Sequence, residues 1–233
     1  MSKHIKKILI IAAHPDDEVL GCGGVIAKES DDGNKVKVVI LATGKSSRYK
    51  DAPLNIAGEI EELYKEATAA LSILGVHPND VVFGNFPDQK LDTIPILDII
   101  HFLKDIIQDY KPDIVYTHHA GDYNIDHRIV FDASVFVCRP YHGEYYPQEL
   151  YSFEVLSSTE WAYQCKNPFN PTVVIDIKNQ IDRKKQAILA YKSELREYPH
   201  PRSDKGVENL AMKRGNEVSK EYAEAFELIR RII

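Results

Sequence analysis

The stretch ILIIAAHPDDEVLGCGGVIA, Ile8 to Ala27, governs how the rest of the chain is read. Ile8 to Ala13 is a short continuous apolar run, the pattern of a strand buried on both faces by flanking helices. It stops at His14-Pro15. Pro15 suits the first turn of a helix, where its missing N–H would have no partner anyway. The apolar and glycine residues from Val19 to Ala27 then read as a buried helix, with Gly21, Gly23 and Gly24 letting it lie close to a sheet.

Outward from this unit the pattern repeats. Val36 to Leu41 reads as a second strand, and Ile60, Leu63, Tyr64, Ala67, Leu71 and Leu74 recur at helical spacing before Gly75. Val81 to Phe86 makes a third strand, followed by the helical stripe Ile96, Ile99, Ile100, Leu103, Ile106 and Ile107; Asp113 to Thr117 supplies a fourth strand. The alternation predicts an α/β fold of the Rossmann-like, doubly wound class, with a mostly parallel sheet, right-handed crossovers and helices on both faces. Beyond Tyr141, Leu150 to Leu156 and Thr172 to Ile177 read as strands, Ile181 to Leu195 and Val218 to Ile233 as amphipathic helices, and Tyr198 to Lys205 as a segment rich in proline and charge. A chain of 233 residues suits one domain spanning 1–233, its part from about 141 completing the sheet and walling a pocket.

Composition narrows the function classes. Hydrophobic residues at 44% and charged residues at 27% fit a globular enzyme and argue against disorder. A formal net charge of -6 argues against a nucleic-acid partner, which needs a concentrated excess of Lys and Arg. No apolar segment is long enough to span a bilayer, and the run after the basic N-terminus is too short for a signal-peptide core. Cys22, Cys138 and Cys165 are odd in number and widely spaced, which suggests core thiols in a reducing, cytoplasmic compartment. The oligomeric state is left open, a homo-oligomer included.

In an open parallel sheet, ligands bind outside the carboxyl ends of the strands. The loops expected there carry His14, Asp16, Asp17 and Glu18; Thr43, Gly44 and Arg48; Asp88 and Asp92; and HHAGDYNIDHR from His118 to Arg128. A catalytic zinc takes three ligands from His and carboxylates and keeps a further position open. His14 and Asp17, three apart across a strand-to-helix turn, can share one side, and His127 can complete the set from the fourth loop. Alone, His-Pro-Asp-Asp-Glu reads equally well as a helix start, its acids facing the positive end of the helix dipole, and Asp126-His127-Arg128 as a capping Asp with exposed neighbours.

The segments AHPDDEVLGCGG, Ala13 to Gly24, and NIDH, Asn124 to His127, resemble those of the PIG-L or LmbE-like N-acetylglucosaminyl deacetylases. SSTEW from Ser157 and PHPRS from Pro199 resemble features of a bacterial subgroup. The resemblance implies a Rossmann-like fold, a catalytic Zn2+ and hydrolysis of an acetamido group on an amino sugar, free or linked to a nucleotide or lipid. By position it makes His14, Asp17 and His127 the metal ligands and Asp16 the general base. The family often has His where this chain has Asn124, which leaves the oxyanion donor to be assigned. Asn124 can donate an N–H to the oxyanion, and Asp126 can orient His127 or a neighbour. Arg48, Asp88, Asp92 and His200 are the expected substrate contacts, with His118, His119 and Arg202 lining the pocket. Rival readings are a nucleotide-binding Rossmann module, a metal-dependent hydrolase of another bond such as a phosphoester, and a catalytically silent sugar-binding protein. Gly21 to Gly24 lie too far into the helix for a phosphate turn, which weighs against the first.

Overall fold

The computed structural model describes residues 5–45, 55–162 and 167–233. Its strands are β1 (Lys7–Ala12), β2 (Lys35–Ala42), β3 (Val81–Phe86), β4 (Ile114–His118), β5 (Glu149–Phe153), β6 (Val173–Asp176) and β7 (Ala223–Arg231). Its helices are α1 (Asp17–Asp31), α2 (Ile56–Ile73), α3 (Ile96–Tyr110), α4 (Ile125–Val137), α5 (Ile181–Ala190) and α6 (Asp204–Asn216). The strands form one sheet in the order β3-β2-β1-β4-β5-β7-β6. β1 pairs in parallel with β2 and β4, and the parallel pairing continues to β3 on one side and β5 on the other. β7 runs antiparallel between β5 and β6. The expected mostly parallel α/β sheet is present, with an antiparallel end.

The period of two along β1 divides its side chains between two cores. Ile8, Ile10 and Ala12 pack with Val19, Val25, Leu63, Leu71 and Ala187 of α1, α2 and α5. Leu9, Ile11 and Ala13 pack with Ile99, Leu103, Val130 and Ala133 of α3 and α4 on the other face. Helix α1 lies close because its glycines leave room: a Cβ at Gly24 would come within 2.6 Å of Ile177, and one at Gly21 would enter the Phe153 ring.

The last helix expected from sequence is a strand. Val218 to Ile233 contains β7, whereas the helix, α6, precedes it and is capped by Ser203 accepting from the Gly206 N–H at 3.0 Å. Ala, Glu and Leu favour a helix in isolation, but the buried stretch Ala223 to Phe226 pairs with β6 and the stretch from Phe226 to Arg231 pairs with β5, so tertiary pairing overrides a weak local preference. Glu224 tolerates this place because its carboxylate accepts from Lys184 Nζ at 2.6 Å and from the Gly24 and Val25 N–H groups of α1, each at 2.8 Å.

Strand order reverses direction between β1 and β4. A crevice opens at such a switch point, outside the carboxyl ends of the two strands, and the loops after β1 and β4 carry His14 and His127.

Candidate active site

His14, at the end of β1, and Asp17, the first residue of α1, lie on one side of the turn between them. The Asp17 carboxylate accepts from the His14 N–H at 2.9 Å, and its Oδ2 sits 3.2 Å from His14 Nδ1. His127, in the first turn of α4, brings its Nε2 to 3.1 Å from the same Oδ2 and 3.3 Å from His14 Nδ1. All three residues are buried. Each ring is held from behind by a carboxylate: His14 Nε2 lies 3.0 Å from Asp126 Oδ2 and 3.3 Å from Asp88 Oδ1, and His127 Nδ1 lies 3.2 Å from Asp122 Oδ1.

Carboxylates crowd the two histidines of the trio. Burial alone would lower both histidines, yet the carboxylates around them win, raising His14 to about 10 and His127 to about 9. Asp17 is held well below the usual carboxylate range: burial opposes its charge, but His127 and His14 outweigh it. Two imidazole nitrogens and a carboxylate oxygen within 4.8 Å of one another are the donor set of a divalent metal, and Asp17 Oδ1 has no other partner. These residues fit a zinc-type ion. The backing of each ring by a carboxylate fixes which nitrogen faces the centre.

Asp16 points elsewhere. Its backbone is left-handed, φ 104° and ψ -29°, a conformation costing a non-glycine residue about 1–3 kcal/mol that persists only where neighbours impose it. Oδ2 accepts from Arg202 Nη1 at 2.9 Å, whereas Oδ1 is buried without a partner. Burial raises its pKa to about 7 against the pull of Arg202. Arg202 is itself fixed by the Ser157 hydroxyl, 2.7 Å from its Nε.

Asp16 and His14 open onto a cavity of about 170 Å³ lined also by Gly44, Asp88, Asn124, Glu194 and Arg202. Asn124 caps α4, its Oδ1 accepting from the Asp126 N–H at 2.9 Å, so its Nδ2 is the group that can donate. Glu194 is tied by Lys45, whose Nζ lies 2.9 Å from both Glu194 Oε1 and Ser193 Oγ.

The sequence-derived residues separate clearly. His14, Asp17 and His127 come together next to Asp16, and Asp88, Asn124 and Arg202 line the cavity with His14 and Asp16. Asp92 is exposed in a short 3-10 turn, Leu91–Thr93, away from the cavity lining. His200 accepts from the Arg202 N–H at 3.1 Å and meets Trp161 edge to face, off the lining. Turn chemistry accounts for the place of Asp92 and local packing for that of His200. Arg48 lies outside the described residues. Asp126 is fully buried, accepting from the Gln89 and Leu91 N–H groups as well as facing His14, so it is a positioning residue for His14 and not for His127.

His127 is oriented instead by Asp122, which sequence reasoning passed over. The Ser158 hydroxyl donates to Asp122 Oδ1 and the Thr159 hydroxyl to Oδ2 at 2.6 Å, and His127 with these hydroxyls holds its carboxyl low against the effect of burial. The signal was available: a metal-bound histidine needs a partner for its second nitrogen, and Asp122 shares the loop. His118 accepts the Ala13 N–H at 2.8 Å and stacks on His127 at 4.0 Å, walling the site. Burial, then the His127 charge, hold its pKa well below the ordinary value.

Residues 9–138, more than half of the chain, match the PIG-L family of GlcNAc-PI de-N-acetylases. This chain belongs to the PIG-L family. Among its relatives, the uncharacterized deacetylase YaiS of Escherichia coli is 36% identical over 139 residues, 58% of this chain and 69% of YaiS. The 4-oxalmesaconate hydratase of Pseudomonas putida is 29% identical over 212 residues, 83% of this chain and 76% of the hydratase. In fold, this PIG-L member is similar to the N,N'-diacetylchitobiose deacetylase of Pyrococcus horikoshii, with a TM-score of 0.76 at 23% identity over 97% of this chain and 85% of the other.

Proposed function

We propose that this PIG-L member is a zinc-dependent hydrolase that removes the N-acetyl group from an amino sugar or sugar conjugate. The observation that carries the reading is Asp16, a residue of the cavity lining whose Oδ1 has no partner, beside the His14, Asp17 and His127 trio. The chemistry an ion held by that trio supplies is Lewis acidity, which makes water nucleophilic near neutral pH and polarises an amide carbonyl. Asp16 takes the proton of the attacking water on Oδ1, because Arg202 occupies Oδ2, and delivers it to the departing nitrogen. Asn124 Nδ2 donates to the oxygen that gains charge as the carbonyl carbon becomes tetrahedral. Asp126 and Asp122 hold the two histidine rings in place. Asp88 and Glu194 offer acceptors for sugar hydroxyls from the cavity wall.

The extended likeness to a hydratase supports a second reading, addition of water to a carbon–carbon double bond at the same centre. The described cavity wall weighs against it. Asp16, Asp88 and Glu194 face the space with Arg202 already paired, a poor setting for a substrate that is itself a carboxylate. Metal-depleted and zinc-restored protein, offered N-acetyl amino sugars and separately 4-oxalmesaconate, distinguishes the two. Free amine released only by the zinc-restored protein supports deacetylation, whereas hydration of 4-oxalmesaconate without amine release from any sugar replaces it.

A further inference from the structure

The strained backbone at Asp16 has a specific support. Its C=O accepts from the Val19 and Leu20 N–H groups at 3.1 and 2.9 Å, as any residue at a helix start does. Its N–H is unusual: it donates to Glu18 Oε2 at 3.1 Å, a side chain two residues ahead. The other Glu18 oxygen, Oε1, accepts from the Tyr191 hydroxyl. Glu18 is fully buried and Tyr191 is 1% exposed, so neither reaches substrate. Tyr191 follows α5, more than 170 positions along the chain, and its hydroxyl fixes the rotamer of Glu18 from the opposite side.

We propose that Glu18 and Tyr191 are positioning residues, a two-member brace that holds the Asp16 peptide left-handed and so sends its carboxylate to the cavity while Asp17 turns to the metal ligands. Adjacent residues in an ordinary helical start diverge by about 100° around the axis. Here the left-handed step at Asp16 lets the consecutive carboxylates serve two different centres. Arg202 fixes where the carboxylate ends, whereas the brace holds the N–H of the backbone from which it springs. The inference rests on the assignment of Asp16 as the base.

The test compares Glu18→Ala, Glu18→Gln and Tyr191→Phe with wild type in kcat, KM, metal content and crystal structure. Misplacement of a reacting group by about 1 Å costs on the order of 10²-fold in rate, and Glu18→Ala is expected to lose about that much kcat with KM and metal content unchanged. Glu18→Gln, whose amide oxygen still accepts the Asp16 N–H, recovers most of the loss. Tyr191→Phe loses less than Glu18→Ala, and the two losses combine to less than their sum, since Tyr191 and Glu18 both act on the Asp16 backbone. Should Glu18→Ala not fold, an unchanged kcat in Tyr191→Phe overturns the proposal. So does loss of turnover only in proportion to lost metal. If wild type deacetylates nothing, the assigned function fails separately, and crystal structures still decide the brace: Asp16 leaving the left-handed region in Glu18→Ala or Tyr191→Phe supports it, and an unmoved Asp16 in both refutes it.

Discussion

The first 138 residues and the remainder of the chain build the site in contrasting ways. The first part brings His14, Asp16, Asp17, Asn124 and His127 to the centre from the two strand-to-helix connections at the sheet's switch point and the helix starts they lead into. The later part contributes Arg202, Glu194, Tyr191, Ser158 and Thr159, each reaching across the fold to a residue the first part supplies or to the cavity it opens. The proposed metal donors thus sit on two short segments, 14–17 and 124–127, whereas their orientation and the aim of the proposed base are long-range properties. A variant in the first part should strike metal or chemistry outright, and one in the second should degrade geometry by degrees.

The largest expected effect is on the metal. Exhaustive chelation should abolish amine release and Zn2+ should restore it, with elemental analysis giving about one ion per chain. Full turnover by protein verified as metal-free would end the account of the first part.

Next comes Asn124, whose two roles can be separated. Asn124→Ala loses both the helix cap and the donor, whereas Asn124→Asp keeps a capping oxygen, loses the N–H and adds a negative charge. Both should fall by about 10² to 10³ in kcat with metal retained, the usual cost of one oxyanion donor. Wild-type kcat in Asn124→Asp would move the donor elsewhere.

Asp122 joins the two regions, since it orients His127 while Ser158 and Thr159 orient it. Asp122→Asn should weaken metal affinity by about 10- to 100-fold without abolishing binding, measured by competition with a chromogenic chelator. An unchanged affinity would reduce the later part's contribution to packing alone.

The smallest effect lies where His119, just after β4, reaches past β5 to β7. His119 Nδ1 lies 2.8 Å from Glu227 Oε2. Burial opposes charge on His119, but Glu227 raises its pKa above the ordinary 6.5; burial likewise opposes charge on Glu227, yet His119 holds it below the ordinary 4.5. The raised histidine stabilises fully below 6.5 and ceases to as pH rises through its folded value, and the lowered carboxyl stabilises above 4.5 and ceases to as pH falls through its own. Glu227→Gln should therefore cost most between about pH 4.5 and 6.5, on the order of 1 kcal/mol by denaturant melts for a partly exposed pair. A pH-independent cost would assign the contact to shape instead of charge.

The contrast also explains what could be read from sequence. The apolar runs at Ile8, Val36 and Ile114 announce parallel strands because burial on both faces leaves no polar alternation, and the candidate metal donors follow from position after strand ends. Asp92 and Asp88 looked alike because a loop acid carries no sign of which side it faces. β7 was hidden because Glu224 looks like a solvated helix residue until Lys184 and the α1 amides are seen around it. The Tyr191 to Glu18 and Arg202 to Asp16 contacts join positions with no periodic relation, so only the folded chain reveals them.

The central claim is that neighbouring carboxylates, Asp16 and Asp17, perform different tasks, and paired measurements of zinc content and kcat on Asp16→Asn and Asp17→Ala test it most directly. Asp16→Asn should bind zinc normally and lose about 10² to 10⁴ of turnover, the scale of general acid–base catalysis, while Asp17→Ala should lose the metal itself. An Asp16→Asn protein without zinc beside an Asp17→Ala protein that retains it would contradict the account.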